Sequence, residues 1–195
     1  NNSESLLKNF KIMNGTGSEG NGGGIKVSES TATLENLSIT ANHVNANGGG
    51  IWIWGANIII KNSTFTSNTA QNGGQQEPPL GGGIFCAENS ALSLSGVTVS
   101  HNTSSGYGGG IYIKDSNMSL SDVAIDGNIA TYGGGIYSDS SHPIFPGTAS
   151  LTSNHANVEG GGIGATGNFS SDPLTLSNLL IANNTAGNRG AGIVA

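Results

Sequence analysis

The chain is expected to be all-β, a right-handed parallel β-helix of about seven coils of 25–33 residues that occupies residues 1–195 as one solenoid. Three observations lead there. Gly-Gly-Gly-Ile recurs at 22–25, 48–51, 81–84, 108–111, 133–136 and 160–163, with Gly-Ala-Gly-Ile at 190–193. Between successive copies stands an apolar residue, two others and an asparagine: "ITAN", "FTSN", "VSHN", "IDGN", "LTSN" and "IANN". The composition supplies 33 glycines but only 9% charged residues, too few for the polar faces of amphipathic helices.

The motif isoleucines are 26, 33, 27, 25, 27 and 30 residues apart. A unit of that length cannot bury a core alone, so units must stack. Aligning on Asn42, Asn68, Asn102, Asn128, Asn154 and Asn184 exposes further columns. Leu34, Ile60, Leu94, Leu120, Pro146 and Leu176 stand eight residues earlier, and Ile39, Phe65, Val99, Ile125, Leu151 and Ile181 three earlier. Val44, Ala70, Ser104, Ala130, Ala156 and Ala186 stand two later. The alternation between columns has period two, as in strands with one buried face. Each unit then offers three short strands: one at Gly-Gly-Gly-Ile, one around the column eight before Asn, and one leading into Asn. Strands of neighbouring units pair in parallel, with coils about 4.8 Å apart. A leucine-rich horseshoe would need helical or Leu-rich segments, and a propeller would need longer repeats built as four-stranded blades.

The glycines serve corners where φ is positive and where a side chain would block the next coil. The asparagines suit a stacked amide ladder and tolerate a left-handed bend. Two segments break the pattern. "QNGGQQEPPL" (71–80) lengthens one turn, and "SDSSHPIFPG" (138–147) puts prolines where a strand is due. Both are expected to bulge outward, with Ile144 reaching back to the core.

The paired "GGGI" and "FTSN"/"VSHN"/"ITAN" motifs resemble the GGA(I/L/V) and FxxN repeats of chlamydial polymorphic outer-membrane proteins, and a wider group of secreted bacterial β-helix proteins. The resemblance spans essentially the whole chain. It implies a surface or secreted protein, often an adhesive passenger domain. A fold of this kind carries no chemistry by itself.

The net charge of −6, with six scattered basic residues, argues against nucleic acid as a partner. No apolar run approaches the length of a membrane span. The single cysteine, Cys86, allows no internal disulfide and falls on an inward column. An enzyme reading needs carboxylates that converge, or clustered acidic ligands for a cation. Asp115, Asp122 and Asp126 fall on different columns, and only Lys114 and Asp139 are neighbours, which suggests an exposed ion pair. His43 and His155 share a column but are separated by roughly four coil spacings. No catalytic residue, cofactor or metal site is therefore expected.

Trp52, Phe85, Tyr112 and Tyr137 follow the motif isoleucine on four consecutive coils, with Trp54 beside them. They are expected to form an exposed aromatic contact stripe for a partner protein, a host-cell surface or a glycan. A second outward array, Ser38/Thr40, Thr64/Thr66, Thr98/Ser100 and Ser150/Thr152, is similar to the Thr-x-Thr faces of ice-binding solenoids. Eight Asn-x-Ser/Thr sequons occur. Asn14, Asn36, Asn62, Asn117 and Asn168 are the candidates for N-glycosylation, and Asn102 is expected to point inward.

The abrupt start at Asn1 is expected of a mature product or of a segment of something longer. Counting nine residues from Ile193 across a junction between two copies lands on Leu7. Phe10 and Ile12 then fill core columns, and Gly15 stands where Asn would. Such complementary ends are expected either of a window from a longer repetitive chain or of protomers that stack head-to-tail into a filament, with Leu6, Leu7, Phe10, Ile12, Ile193, Val194 and Ala195 as the contacts.

Overall fold

A computed structural model describes residues 5–17, 20–74, 76–167 and 175–195. Among these residues 26 strands pair in parallel and form four sheets, three of seven strands and one of five. The first sheet starts at each motif isoleucine and runs from Ile25–Ser28 to Ile193–Val194. The second has five strands, Ser5–Lys8 to Asn117–Ser121. The third carries the residues that lead into each Asn, from Lys11–Met13 to Leu179–Ala182. The fourth runs from Thr16–Gly17 to Thr185–Ala186.

Each coil thus has up to four strands where three were expected. The additional one follows the Asn: it is two residues long in most coils, and its inward residue is the column Val44, Ala70, Ser104, Ala130 and Ala156, all buried. A small side chain suffices there because the chain is about to enter the glycine corner.

Stacking is in register. Ile25 lies opposite Ile51, and the file continues through Ile84, Ile111, Ile136, Ile163 and Ile193. The rows Leu34–Ile60–Leu94–Leu120 and Ile39–Phe65–Val99–Ile125–Leu151 complete one continuous apolar core. Each fully buried aliphatic side chain contributes about 2 kcal/mol of transfer free energy.

Two kinds of bend close each coil. The first glycine of every motif takes φ between 59° and 81°. Its companions are required by crowding: a Cβ on Gly83 would stand 2.7 Å from the Gly110 carbonyl oxygen and 3.0 Å from Asn102 Nδ2. At the second bend the left-handed residue is not the ladder asparagine. It is the residue before it, Ala41, Ser67, His101, Gly127, Ser153 and Asn183, with φ from 54° to 63°. The asparagine must aim its amide inward, so the reversal falls on its outward-facing neighbour, although this costs an L residue about 1 kcal/mol.

The side-chain amides of Asn42 to Asn184 form an unbroken ladder. From Asn68 on, each Oδ1 accepts both the backbone N–H and an Nδ2–H of the asparagine one coil earlier, over 2.8–3.1 Å, and Asn42 Oδ1 accepts the Gly15 N–H at 2.9 Å. The second Nδ2–H donates back to a carbonyl of the preceding coil, such as Phe65 O for Asn102 at 2.9 Å. One amide therefore ties three rungs together. A smaller hydroxyl ladder holds another corner, where the Oγ atoms of Ser90, Ser116 and Ser141 accept backbone N–H groups from the coil before, each at 3.1 Å.

Of the two irregular segments, 71–80 bulges outward as expected and 138–147 does not. Segment 138–147 packs in, because Ser138, Ser141, Pro143 and Phe145 are all buried. Phe145 occupies the core column assigned to Pro146, and Ile144 is 56% exposed. The prolines at 143 and 146 bring no N–H to the ladder. Between them Ile144 pairs with the strand Asn117–Ser121, through Leu120 N–H to Ile144 O and Ile144 N–H to Met118 O, both 2.9 Å. Period-two alternation then turns Ile144 outward and Phe145 inward. In segment 71–80 the described residues are exposed up to Pro78, and the chain then rejoins the solenoid at Pro79 and Leu80, with Leu80 bridged to Tyr107.

Asn102→Ala deprives Asn68 of the acceptor for two donors, and we expect it to lower the unfolding free energy by about 3 kcal/mol. Asn184→Ala takes the same acceptor from Asn154, but at a half-buried position that water can reach, and is expected to cost about 1 kcal/mol. Urea unfolding followed by circular dichroism checks both, and equal costs would contradict this dependence on burial.

Candidate functional site

The aromatic row on the outer face of the first sheet is not an open stripe. Trp52, Phe85 and Tyr112 are only 8%, 3% and 5% exposed. Tyr137 is half-buried, and Trp54, at 37%, is the ring with most surface left. In-register pairing stacks the rings, with centroids of Trp52–Phe85, Phe85–Tyr112 and Tyr112–Tyr137 at 6.1, 5.6 and 5.9 Å and planes within 4°. Trp54 lies parallel to Trp52 at 5.5 Å. Each such contact contributes about 1 kcal/mol beyond area burial.

Leu80 and Tyr107 pack over the row and make it a second, external core. Tyr107 meets Tyr137 edge-on at 4.7 Å and stacks on Tyr132 at 4.9 Å. All four tyrosines and both tryptophans of the chain thus belong to one connected array. Its far members were accessible in the sequence, because Tyr107 and Tyr132 each immediately precede a glycine triplet.

Between this row and the returning loop runs a cleft of about 830 Å³. Trp54, Phe85, Tyr112 and Tyr137 line it, with Pro78 and Pro79 on the loop side. Its charged residues are Glu77, Glu88, Lys114 and Asp139. Lys114 and Asp139 pair across adjacent coils at 3.7 Å, and the Tyr112 hydroxyl donates to Asp139 Oδ2 at 3.1 Å. Burial, reinforced by the Asp139 carboxylate, pushes the Tyr112 phenol far above its ordinary range. Tyr137 is raised too, again chiefly by burial. Burial also pushes the Cys86 thiol up to about 12, against hydrogen bonds from Ser90 and Ser116 that lower it.

The other residues singled out in the sequence are distributed as follows. The Ser/Thr pairs stack in register, and Thr66 Oγ1 and Ser100 Oγ lie 3.3 Å apart, so part of that face bonds to itself. His43 and His155 each contact a neighbouring asparagine, Asn45 and Asn157, at 3.2 Å. Among the described residues no group of three or more His, Cys, Asp or Glu side chains could hold a metal. Asn14, Asn36, Asn62 and Asn117 are exposed, Asn102 is fully buried, and Asn168 lies outside the described residues. Leu6, Phe10 and Ile193 are 63%, 54% and 40% exposed; Ala195 is exposed as well, whereas Leu7, Ile12 and Val194 are half-buried. A separate apolar depression of about 380 Å³ lies on the second sheet around Ile59 and Ile144.

The chain belongs to the right-handed β-helix family. The family described as "Right handed beta helix region" matches residues 1–186. No curated protein and no solved structure matches the chain. The β-helix thus accounts for the scaffold, and the cleft is the feature this chain builds upon it with one lengthened turn.

The folded β-helix keeps the Tyr112 phenol protonated to higher pH than the unfolded chain does. Its stabilisation is therefore fully present below the ordinary value of 10.0 and is withdrawn as the pH rises beyond it. We expect the melting temperature to fall above about pH 10 and to fall less steeply in Tyr112→Phe. Thermal denaturation across the alkaline range measures this, and identical slopes would contradict it. Cys86 should resist alkylation at neutral pH until the protein is unfolded, as mass spectrometry would show.

Proposed function

We propose that this β-helix is a structural and adhesive module that works at the cell surface or outside the cell. The observation that carries the reading is the aromatic-walled cleft along the solenoid axis. It presents Trp54, Glu77, Glu88 and the edges of Tyr112 and Tyr137 on a frame whose specialised asparagines, glycines and serines are committed to holding coils together. The resemblance of the paired repeats to surface-exposed bacterial β-helix proteins supports the same reading. The ligand lies in the cleft, and recognition rather than turnover is its work.

The reading extends to self-association. Leu7 falls in the Leu34 column and Ile193 in the Ile163 file, so a second copy set on the last rung continues the core in register. Exposed Leu6, Phe10 and Ile193 then become buried. Such a junction lacks one ladder rung, because Gly15 brings no side-chain oxygen to meet the donors of Asn184. End-to-end stacks are therefore weaker than any joint between coils of one chain.

A carbohydrate ligand is the second reading, favoured by the Tyr112–Asp139–Lys114 group beside exposed Trp54. Immobilised protein is expected to retain host cells or matrix-coated beads, and Trp54→Ala to lose most of that retention. Absence of retention, or depolymerisation of an acidic polysaccharide by the wild-type protein, would overturn the adhesive reading.

A further inference from the structure

The cleft carries a charge pattern that narrows its ligand. Three carboxylates border it, but Asp139 is already paired with Lys114 at 3.7 Å. Glu77 and Glu88 are exposed, and among the described residues neither makes an ion pair or a side-chain hydrogen bond. Two unneutralised carboxylates thus face an aromatic floor in a protein that already carries a net charge of −6.

The floor has one open ring, Trp54. Along the column of Trp54 the neighbouring coils place Ser28 on one side and Ala87 on the other. Neither is large enough to stack on the indole, which explains why Trp54 keeps its surface while the rings of the adjacent column cover one another. Ala87 is itself only 2% exposed, so the surface left open is the Trp54 indole, next to exposed Glu88. The row also shows what it attracts, since the Lys26 ammonium of this chain sits 4.9 Å from the centre of the Trp52 ring. An indole and nearby carboxylates are complementary to an ammonium or guanidinium group.

The cleft runs from Gly20 and Asn21, on the first coil, to Tyr137 and Asp139, on the fifth. At about 4.8 Å per coil that is roughly 19 Å, the length of about five or six residues of extended polypeptide. We propose that the cleft seats an extended basic segment of a partner polypeptide. One lysine or arginine of that segment lies against Trp54 and pairs with Glu77 and Glu88. The remainder follows the aromatic edges toward Tyr137. This assignment rests on the adhesive reading above and names the chemistry its cleft recognises.

The test is a titration of the whole chain with hexalysine and hexa-arginine, followed by tryptophan fluorescence and calorimetry. Both peptides are expected to bind, with affinity that falls as salt is raised. The exposed double substitution Glu77→Gln/Glu88→Gln is expected to weaken binding roughly tenfold or more, with an unchanged circular dichroism spectrum. Glu35→Gln, whose partner Lys8 lies away from the cleft, serves as control and is expected to leave affinity within about twofold. Tighter binding of hexaserine or of a deacetylated chitosan oligomer than of either basic peptide would overturn the proposal. So would an affinity unchanged in the double variant. If immobilised wild-type and double-variant proteins retain cells equally, the adhesive reading survives and this assignment fails. If neither protein retains cells while hexalysine still binds through Glu77 and Glu88, the reverse holds.

Discussion

An asparagine amide has two donors and two acceptor lone pairs, and those of Asn68, Asn102, Asn128 and Asn154 are fully buried. The fold depends on how that demand is met. Each inner asparagine is satisfied only if another asparagine lies one coil above it and a third one coil below, and if the carbonyl three residues before the lower one is in place. This forces every coil into the same register at one of its corners. The glycine triplets force it at another, because the carbonyl of the next coil occupies the space a side chain would need. With two corners fixed, the aliphatic rows between them line up without further specification. Burial then provides most of the stability, and the polar ladders decide which of many possible stackings is adopted.

The same constraint shapes the outside. In-register coils bring outward residues of successive units directly over one another, so any residue type that repeats becomes a stack. Serines and threonines become a hydroxyl array, and aromatics become the row Trp52–Phe85–Tyr112–Tyr137. A stack of rings covers its own faces, which is why an aromatic file that looks exposed on a column map is largely buried once built. What remains available is found where the repetition fails. Trp54 has no ring above or below it, and the coil with 33 residues has a loop long enough to return over the row and wall off a cleft.

How much could be read from the chain follows from which residues repeat. The isoleucine file, the asparagine column and the small residues two positions after it repeat within one sequence, so their alignment needs no outside information. Features that occur once were harder. Leu80 lies 27 residues before Tyr107 and covers rings contributed by several coils, and nothing local to "EPPL" points there. Phe145 takes the core position because an additional residue separates it from Asn154, which a fixed offset from the asparagine misses. The left-handed residue before each asparagine has no common chemistry, being Ala, Ser, His, Gly or Asn. The backbone path imposes that conformation, and the side chain does not choose it.

If the rungs are equivalent, a whole one can be removed. Excising residues 108–132 joins Tyr107 to Gly133 and preserves the sequence Tyr-Gly-Gly-Gly-Ile-Tyr across the cut. It also brings Asn154 into position over Asn102. Equilibrium unfolding of this shortened chain, beside one lacking only half a coil, tests the account most directly. The account predicts that the whole-coil deletion stays folded and cooperative with a modestly smaller denaturant dependence, while the half-coil deletion does not fold. Loss of structure in both, or tolerance of both, would contradict it.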